Sequence, residues 1–240
     1  MKKLDYKILL FDLDGTLIDS GEGIMKCAQY SLAHFGIEVT DLNSLRPFVG
    51  PPLEDSFKMF YGFNDEDAAK AVAKYRERYF NEGWVEQHLY EGVLDFLGEI
   101  RRRGYVMGIA TSKMQIQADR VADEFGLREY FDFIAGRDDA GTLHTKADVI
   151  NAGLAAQGIT DRSKILMIGD RKFDIIGAKE CNIDSMAVLY GYGDRDEFEK
   201  AGANYICTDF SEILSLLIGD GYQPTATSHI QDLANACHTL

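Results

Sequence analysis

The sequence predicts an α/β fold, a doubly wound parallel sheet that carries a second, small helical domain. Short apolar runs that do not alternate with polar residues predict strands buried on both faces of such a sheet. These runs cover residues 6–11, 105–110, 130–135, 164–168, 184–189 and 204–207. Between most runs, apolar residues recur at spacings of three and four, which predicts helices over 92–103, 115–125, 146–157, 173–181 and 211–218. This alternation is typical of a doubly wound sheet.

One long stretch, from residue 12 to residue 104, interrupts the alternation because it contains no predicted strand. It carries two helical stripes, formed by Ile24, Ala28, Leu32 and Phe35 and by Ala68, Val72, Tyr75 and Tyr79. The loop 47–52 lies between them, and its three prolines exclude it from a helix interior. We therefore expect a helical domain over 18–86, a core over 1–17 and 87–218, and a tail over 219–240, in which 230–240 could add a short helix.

Composition narrows the classes of function. The 240 residues include 25 Lys and Arg against 39 Asp and Glu, a net charge of −14, which argues against nucleic acid polymers and anionic membranes as partners. The four cysteines are far apart in sequence, which favours free thiols in a reducing compartment. The apolar run at 8–11 is too short for a signal peptide, and no run approaches a membrane span. We expect a cytoplasmic protein, monomeric or homodimeric.

Polar side chains follow three of the predicted strands. Asp12, Asp14, Gly15 and Thr16 come after the first strand, Thr111 and Ser112 after the second, and Asp170 and Asp174 after the fourth. Because ligands bind beyond the carboxyl ends of parallel strands, we expect these residues to meet at one edge of the sheet.

Each of these features also has a plainer interpretation. Asp12 to Gly15 could be an ordinary turn, Asp170 and Asp174 could cap a helix, and Lys146 could be a solvated residue at a helix start. An EF-hand does not fit, because Gly23 stands where that loop requires Glu.

The joint placement of these residues favours a metal site. Carboxylates brought together repel each other unless a cation lies among them, and a set of oxygen ligands without His or Cys favours Mg²⁺. Thr111 and Lys146 would supply donors for a phosphate. One carboxylate could then act as nucleophile while a second transfers protons.

Four segments in order resemble the motifs of the haloacid dehalogenase superfamily: 12–17, Thr111, Lys146 and 169–174. The resemblance extends over residues 1 to about 218 and implies a Rossmann-like core. It also implies a phosphatase, because the dehalogenases of the superfamily lack the acid at Asp14.

The resemblance implies a role for each motif residue. Asp12 would be the nucleophile that forms an aspartyl-phosphate, and Asp14 the general acid and base. Mg²⁺ would be held by Asp12, the main-chain carbonyl of Asp14 and Asp170, with Asp174 in its outer shell or bound through water. Thr111 and Lys146 would bind phosphate. Further substrate-binding candidates are the main chain at Ser112 and the adjoining Gly15 and Thr16.

The helical insertion resembles the cap of the superfamily, which closes over the site and selects substrate; residues 18–86 are called the cap below. Arg46, Phe48 and Gly50 are its candidate substrate contacts, although Phe48 could equally belong to the core of the cap. We expect 191–193 to be a turn after the preceding strand, and His34, His88 and His144 to be surface or packing residues.

The cap and the segment 169–179 resemble phosphoglycolate phosphatases and relatives grouped with 5'-nucleotidases. The third motif departs from the phosphoglycolate phosphatases because Ala147 and Val149 stand where prolines are common. A phosphoglycolate phosphatase-like activity on a small phosphomonoester is therefore expected, with a 5'-nucleotidase as the alternative. A sugar phosphomutase and a phosphoryl-receiver module fit less well, since a receiver has its motifs in a different order.

Overall fold

The computed structural model describes residues 3–138 and 140–219. The predicted tail and its possible helix at 230–240 lie outside them, apart from residue 219. The strands are β1 (Ile8–Phe11), β2 (Ile18–Asp19), β3 (His88–Leu89), β4 (Val106–Met114), β5 (Phe133–Arg137), β6 (Ile165–Gly169), β7 (Asp184–Val188) and β8 (Tyr205–Cys207). The helices are α1 (Gly21–His34), α2 (Leu53–Tyr61), α3 (Asp65–Asn81), α4 (Val93–Arg102), α5 (Gln115–Glu124), α6 (Lys146–Ala156), α7 (Lys172–Glu180), α8 (Arg195–Ala201) and α9 (Phe210–Ile218).

Six strands form one parallel sheet in the order β5-β4-β1-β6-β7-β8, which confirms the predicted fold class. β1 lies in the middle, and its last residue, Phe11, pairs with Ile109 of β4 and Ile168 of β6. The strand order reverses at β1, because the chain moves outward through β4 and β5 and then returns to the other side with β6. Such a reversal leaves a crevice at the carboxyl ends of the strands, where ligands bind.

Both faces of the sheet are covered. Leu9 and Phe11 point to one face, where they pack in a cluster with side chains of α4, α5 and α9. Leu10 points to the other face, into a cluster with side chains of α6 and α7. The β-strand period of two explains this division, and burial on both faces explains why the run has no polar alternation.

The helices of the cap pack on one another in a separate hydrophobic cluster. Its fully buried members include Cys27, Leu32, Leu45, Phe57 and Ala68. Both predicted stripes contribute to this cluster, because each places its apolar residues on one helix face. The limits of the cap at 18 and 86 remain a prediction.

The structure corrects the sequence interpretation at three places. The stretch 12–104 does contain strands, since β2 and β3 pair antiparallel, with Ile18 opposite Leu89. β4 continues to Met114, beyond its predicted end, and β5 begins only at Phe133. Helix α8 was not predicted because it buries only Phe198 and so shows no stripe; Asp194 caps it by accepting the Glu197 N–H at 2.8 Å.

The fold bears on the expectations about membrane spans and cysteines. In 3–138 and 140–219 no helix combines the length and apolarity that a membrane span requires. Cys27, Cys181 and Cys207 are free thiols buried in the hydrophobic clusters, while Cys237 lies outside the described residues.

Candidate active site

The chain turns sharply directly after β1. The N–H of Gly15 donates to the carbonyl of Ile18 at 2.7 Å, and Gly15 has a φ of +83°. A Cβ at this position would lie 2.1 Å from Oδ2 of Asp170. Only glycine satisfies both conditions, since it alone adopts positive φ freely and leaves room for the carboxylate. The turn therefore brings the segment after Asp12 against Asp170.

Three carboxylates converge at this turn. Ligand oxygens of Asp12, Asp170 and Asp174 all lie within 4.8 Å of one another, and all three residues are buried. Asp170 is fixed by the Tyr192 N–H, which donates to its Oδ2 at 2.8 Å, and by the Thr16 hydroxyl at 3.3 Å. Thr16 is fully buried beside Asp170 and does not line the cavity, so its predicted contact with substrate is not supported.

Asp174 caps a helix and also faces the carboxylate cluster, so its predicted place near the metal stays a prediction. It lies in the first turn of α7, and its Oδ2 accepts the main-chain N–H of Arg171 at 3.0 Å, as a helix-capping residue does. Its Oδ1 points into the carboxylate cluster, 2.8 Å from Nζ of Lys146.

Lys146 is the cation of the cluster. Its Nζ lies 2.8 Å from Oδ1 of Asp12 and donates to the carbonyl of Ala110 at 3.0 Å. The side chain is held there because Lys146 is the first residue of α6, which begins with a reciprocal cap between Thr145 and Asp148. The prediction that Lys146 belongs to the site agrees with its position, and the solvated alternative is wrong because the side chain is 3% exposed.

The charges of the cluster do not balance. Burial raises the pKa of Asp12 to about 6; the Lys146 ammonium opposes this shift and the Asp174 carboxylate adds to it. Burial, with the negative charges of Asp174 and Asp12, raises the pKa of Asp170 well above its usual value. One ammonium cannot neutralise three carboxylates in a buried place. An oxygen-only donor set with excess negative charge fits Mg²⁺, which Asp12 and Asp170 would hold with the Asp14 carbonyl.

The end of β4 supplies the second side of the site. Thr111 is buried, and its hydroxyl accepts the main-chain N–H of Lys113 at 3.2 Å. Lys113, for which the sequence predicted no role, follows Thr111 by two residues in the irregular end of β4 and also lines the cavity. Its Nζ lies 2.9 Å from Oδ1 of Asp14 and 2.9 Å from the hydroxyl oxygen of Tyr79. The signal that could have indicated Lys113 is its place directly after Thr111 and Ser112 at the carboxyl end of a predicted strand.

A cavity of about 320 Å³ lies between this end of the sheet and the cap. On the core side its lining includes Asp12, Asp14, Thr111, Ser112, Lys113, Gln117, Arg137 and His144. The cap contributes Ile24, Phe48, Gly50, Leu53, Glu54, Asp55, Val72, Tyr75, Arg76 and Tyr79. Phe48 is 2% exposed in the cap cluster, as expected of a cap core residue, and it also borders the cavity, so its contact with substrate stays a prediction.

Arg46 does not line this cavity, so its predicted contact with substrate is not supported. Its Nη2 donates to the carbonyl of Gly191 at 2.9 Å, and its guanidinium lies 4.8 Å from the ring centre of Tyr192. From the core, Arg171 donates to the carbonyl of Val49 in the cap. The cap is therefore held to the core by an arginine from each side.

The turn at 191–193 does more than follow β7. A Cβ at Gly191 would lie 2.3 Å from Cβ of Asp170, and the N–H of Gly193 donates to the Asp170 carbonyl at 3.0 Å. These contacts wrap the turn around Asp170. His88 and His144 are exposed, as expected of surface residues; His144 also borders the cavity, and Nε2 of His88 lies 3.7 Å from a carboxylate oxygen of Asp19.

The chain is similar in sequence to known proteins. The sequence model of the haloacid dehalogenase-like hydrolases matches residues 9–188. A protein named 5'-nucleotidase from Pseudomonas aeruginosa is 36% identical over 214 residues, which are 89% of this chain and 96% of that protein. A protein named tyrosine-protein kinase PtkA from Mycobacterium tuberculosis is 33% identical over 201 residues, 83% of this chain and 68% of its own.

A solved structure of a similar chain has a similar fold. The crystal structure of a predicted phosphatase from Clostridium acetobutylicum superposes with a TM-score of 0.84 at 42% sequence identity. The match covers 87% of this chain and 96% of that one.

Proposed function

We propose a function for this chain from the premise that it belongs to the haloacid dehalogenase-like hydrolase family and is a phosphoric monoester hydrolase. It cleaves small phosphomonoesters through an aspartyl-phosphate on Asp12, with Mg²⁺ as cofactor. One observation carries the proposal: Asp12 lies at the floor of the cavity, within a buried cluster of carboxylates that contains a single ammonium. Mg²⁺ bound there would offset the negative charge of the phosphate.

The first step is transfer of the phosphoryl group to the protein. An oxygen of the Asp12 carboxylate forms a bond to phosphorus while the bond from phosphorus to the leaving oxygen breaks. Asp14 gives its proton to that leaving oxygen, so the product leaves as an alcohol. The Thr111 hydroxyl and the Ser112 main chain border the cavity beside Asp12, where they would donate to phosphate oxygens.

The second step restores the enzyme. Asp14, now ionised, takes a proton from a water molecule, and the resulting hydroxide attacks phosphorus. The bond from phosphorus to the Asp12 oxygen breaks, and inorganic phosphate is released. Lys146, whose Nζ is 2.8 Å from Asp12, stabilises the carboxylate that leaves.

Between the two substrate classes, the cavity favours nucleoside 5'-monophosphates. Its volume of about 320 Å³ suits a group larger than a two-carbon acid. The relative named 5'-nucleotidase supports the same choice. Phosphoglycolate stays the second candidate because Arg76 and Arg137 border the cavity and could pair with its carboxylate.

Phosphate release should be measured with Mg²⁺ on p-nitrophenyl phosphate, several 5'-nucleotides and phosphoglycolate. We expect hydrolysis that Asp12→Asn abolishes and that Asp161→Asn, an exposed aspartate at a loop, leaves unchanged. A tenfold preference in kcat/KM corresponds to about 1.4 kcal/mol and would decide between the substrates. No hydrolysis of any phosphomonoester, or equal activity of Asp12→Asn, would exclude the proposal.

A further inference from the structure

Lys113 connects three parts of the molecule through one ammonium group. It lies on β4 of the core, and its Nζ donates to Oδ1 of Asp14 on the turn after β1. The same Nζ donates to the hydroxyl oxygen of Tyr79, which belongs to α3 of the cap. Both distances are 2.9 Å, and the Lys113 and Asp14 side chains are 5% and 13% exposed.

The ammonium keeps its charge although it is buried. Burial alone would lower the pKa of Lys113, but the negative charge of Asp14 and the Tyr79 hydroxyl outweigh it, and the pKa is raised. A buried charge needs fixed partners, so the direction of this side chain is set by Asp14 and Tyr79 together.

The contact also distinguishes the two oxygens of Asp14. Lys113 donates to Oδ1, and no hydrogen bond to Oδ2 occurs in the part of the chain that the structure describes. When Asp14 carries a proton, Oδ1 must accept from the ammonium, so the proton belongs on Oδ2. Lys113 thereby decides which oxygen gives the proton to the leaving group.

Tyr79 makes this arrangement depend on the cap. Its ring lies 5.9 Å from that of Tyr75 at an angle of 14°, and the residue is 3% exposed within the cap cluster. If the cap moved from the core, the ammonium would lose one of its two side-chain acceptors. The long lysine side chain would then regain freedom, and Asp14 would be less well fixed.

Resting on the proposed function, we propose that Lys113 and Tyr79 are positioning residues, which orient the carboxyl group of Asp14 for proton transfer only while the cap is docked on the core. Lys113 acts on Asp14 directly, and Tyr79 acts through Lys113.

Two aryl phosphates of similar shape test this proposal. Loss of p-nitrophenolate needs little protonation, whereas loss of phenolate from phenyl phosphate depends more on the general acid. For Lys113→Met we expect kcat/KM with phenyl phosphate to fall by about a hundredfold, and for Tyr79→Phe by about tenfold, with less than about threefold for p-nitrophenyl phosphate. The double variant should lose no more than Lys113→Met alone, since Tyr79 acts through Lys113.

Two further variants make the result specific. Asp14→Asn should have the largest difference in kcat/KM between the two esters, because it removes the general acid. Tyr61→Phe removes a hydroxyl from a partly buried cap residue that does not line the cavity. Tyr61→Phe should behave like the wild type. Tyr79→Phe removes one oxygen atom only and keeps the ring contacts, so it tests the proposal even if Lys113→Met does not fold.

The outcomes separate this inference from the function on which it rests. If the wild type hydrolyses neither ester, the proposed function fails. If the wild type is active and Asp14→Asn depends on the leaving group, equal losses on both esters in the Lys113 and Tyr79 variants would overturn the inference. Equal losses would assign Lys113 to phosphate binding instead. If Tyr79→Phe kept wild-type activity on both esters, the proposed dependence of Asp14 orientation on the docked cap would be excluded.

Discussion

The ammonium group of Lys146 lies 2.8 Å from Oδ1 of Asp12, and both side chains are at least nine-tenths buried. Lys146 begins a helix on one side of the sheet, while Asp12 directly follows the central strand, so the contact joins two elements that are distant in sequence. The same ammonium reaches Asp174 at 2.8 Å. It is therefore the main protein charge that opposes the carboxylate cluster, and its removal should affect both stability and chemistry.

Lys146→Met should destabilise the protein and abolish activity. The substitution leaves the buried carboxylates without their ammonium, and breaking a buried ion pair from one side costs about 3 kcal/mol or more. Chemical denaturation at pH 8 would measure the loss, which should be smaller at pH 5, where the carboxylates bind protons. Lys164→Met, at an exposed pair with Asp5, is the control and should unfold like the wild type. Equal stability of both variants would contradict this prediction.

Stability of the metal-free protein should fall as pH rises from about 4 to about 6. The pKa of Asp12 is raised from 3.8 to about 6 in the folded protein, so in this interval the folded state retains a proton that the unfolded chain has released. Each such proton lowers the free energy of unfolding by at most about 1.4 kcal/mol for each unit of pH increase. Denaturant titrations across this interval, after treatment with a chelator, would measure the slope. Asp12→Asn should have a smaller slope, and an unchanged slope would show that other groups cause it.

Mg²⁺ should stabilise the protein more at pH 7.5 than at pH 4.5. The ion binds ionised carboxylates, and at the lower pH the raised pKa values keep Asp12 and Asp170 protonated. Thermal unfolding with and without Mg²⁺ at the two pH values checks this expectation. An equal increase in Tm at both would argue for binding elsewhere.

Asp170→Asn should raise the Mg²⁺ concentration that gives half-maximal activity by at least about tenfold. The amide keeps the shape that Thr16 and Tyr192 contact but loses the charge. Asp194→Asn is the matched control, because Asp194 also accepts a main-chain N–H but lies outside the cluster. Equal Mg²⁺ dependence of the two variants would contradict the assignment of Asp170.

Arg46→Ala should loosen the cap without changing the carboxylate cluster. It removes the hydrogen bond to the Gly191 carbonyl and the contact with the Tyr192 ring. We expect faster amide hydrogen exchange in the loop 47–52 and a several-fold higher KM, with a smaller effect on kcat. Arg195→Ala, at an exposed position on α8, is the control. Exchange equal to the control would mean that the other contacts between cap and core, including the hydrogen bond from Arg171 to Val49, hold the cap without Arg46.

Local patterns explain what could be predicted of the fold. A strand buried on both faces must be apolar throughout, so the sequence predicts β1 and β6 from their apolar runs. The polar residues that follow these runs are then candidate site residues. The two-residue strands β2 and β3 were not, because their pairing depends on a partner far along the chain. Helix α8 was missed for a related reason, since a helix with one buried residue has no periodicity.

The sequence by itself determined the α/β class and the positions of Asp12, Thr111 and Asp170, because strand ends and the polar residues after them follow from short-range patterns. The place of Lys146 in the site was implied by the family resemblance, since a lysine at a helix start could equally be solvated. Only the tertiary structure decided that the Lys113 ammonium donates to both Asp14 and Tyr79. It also decided that Arg46 donates to the Gly191 carbonyl and does not line the cavity. The direction of a long charged side chain depends on which acceptors packing brings within about 3 Å, and those acceptors belong to elements far apart in the chain.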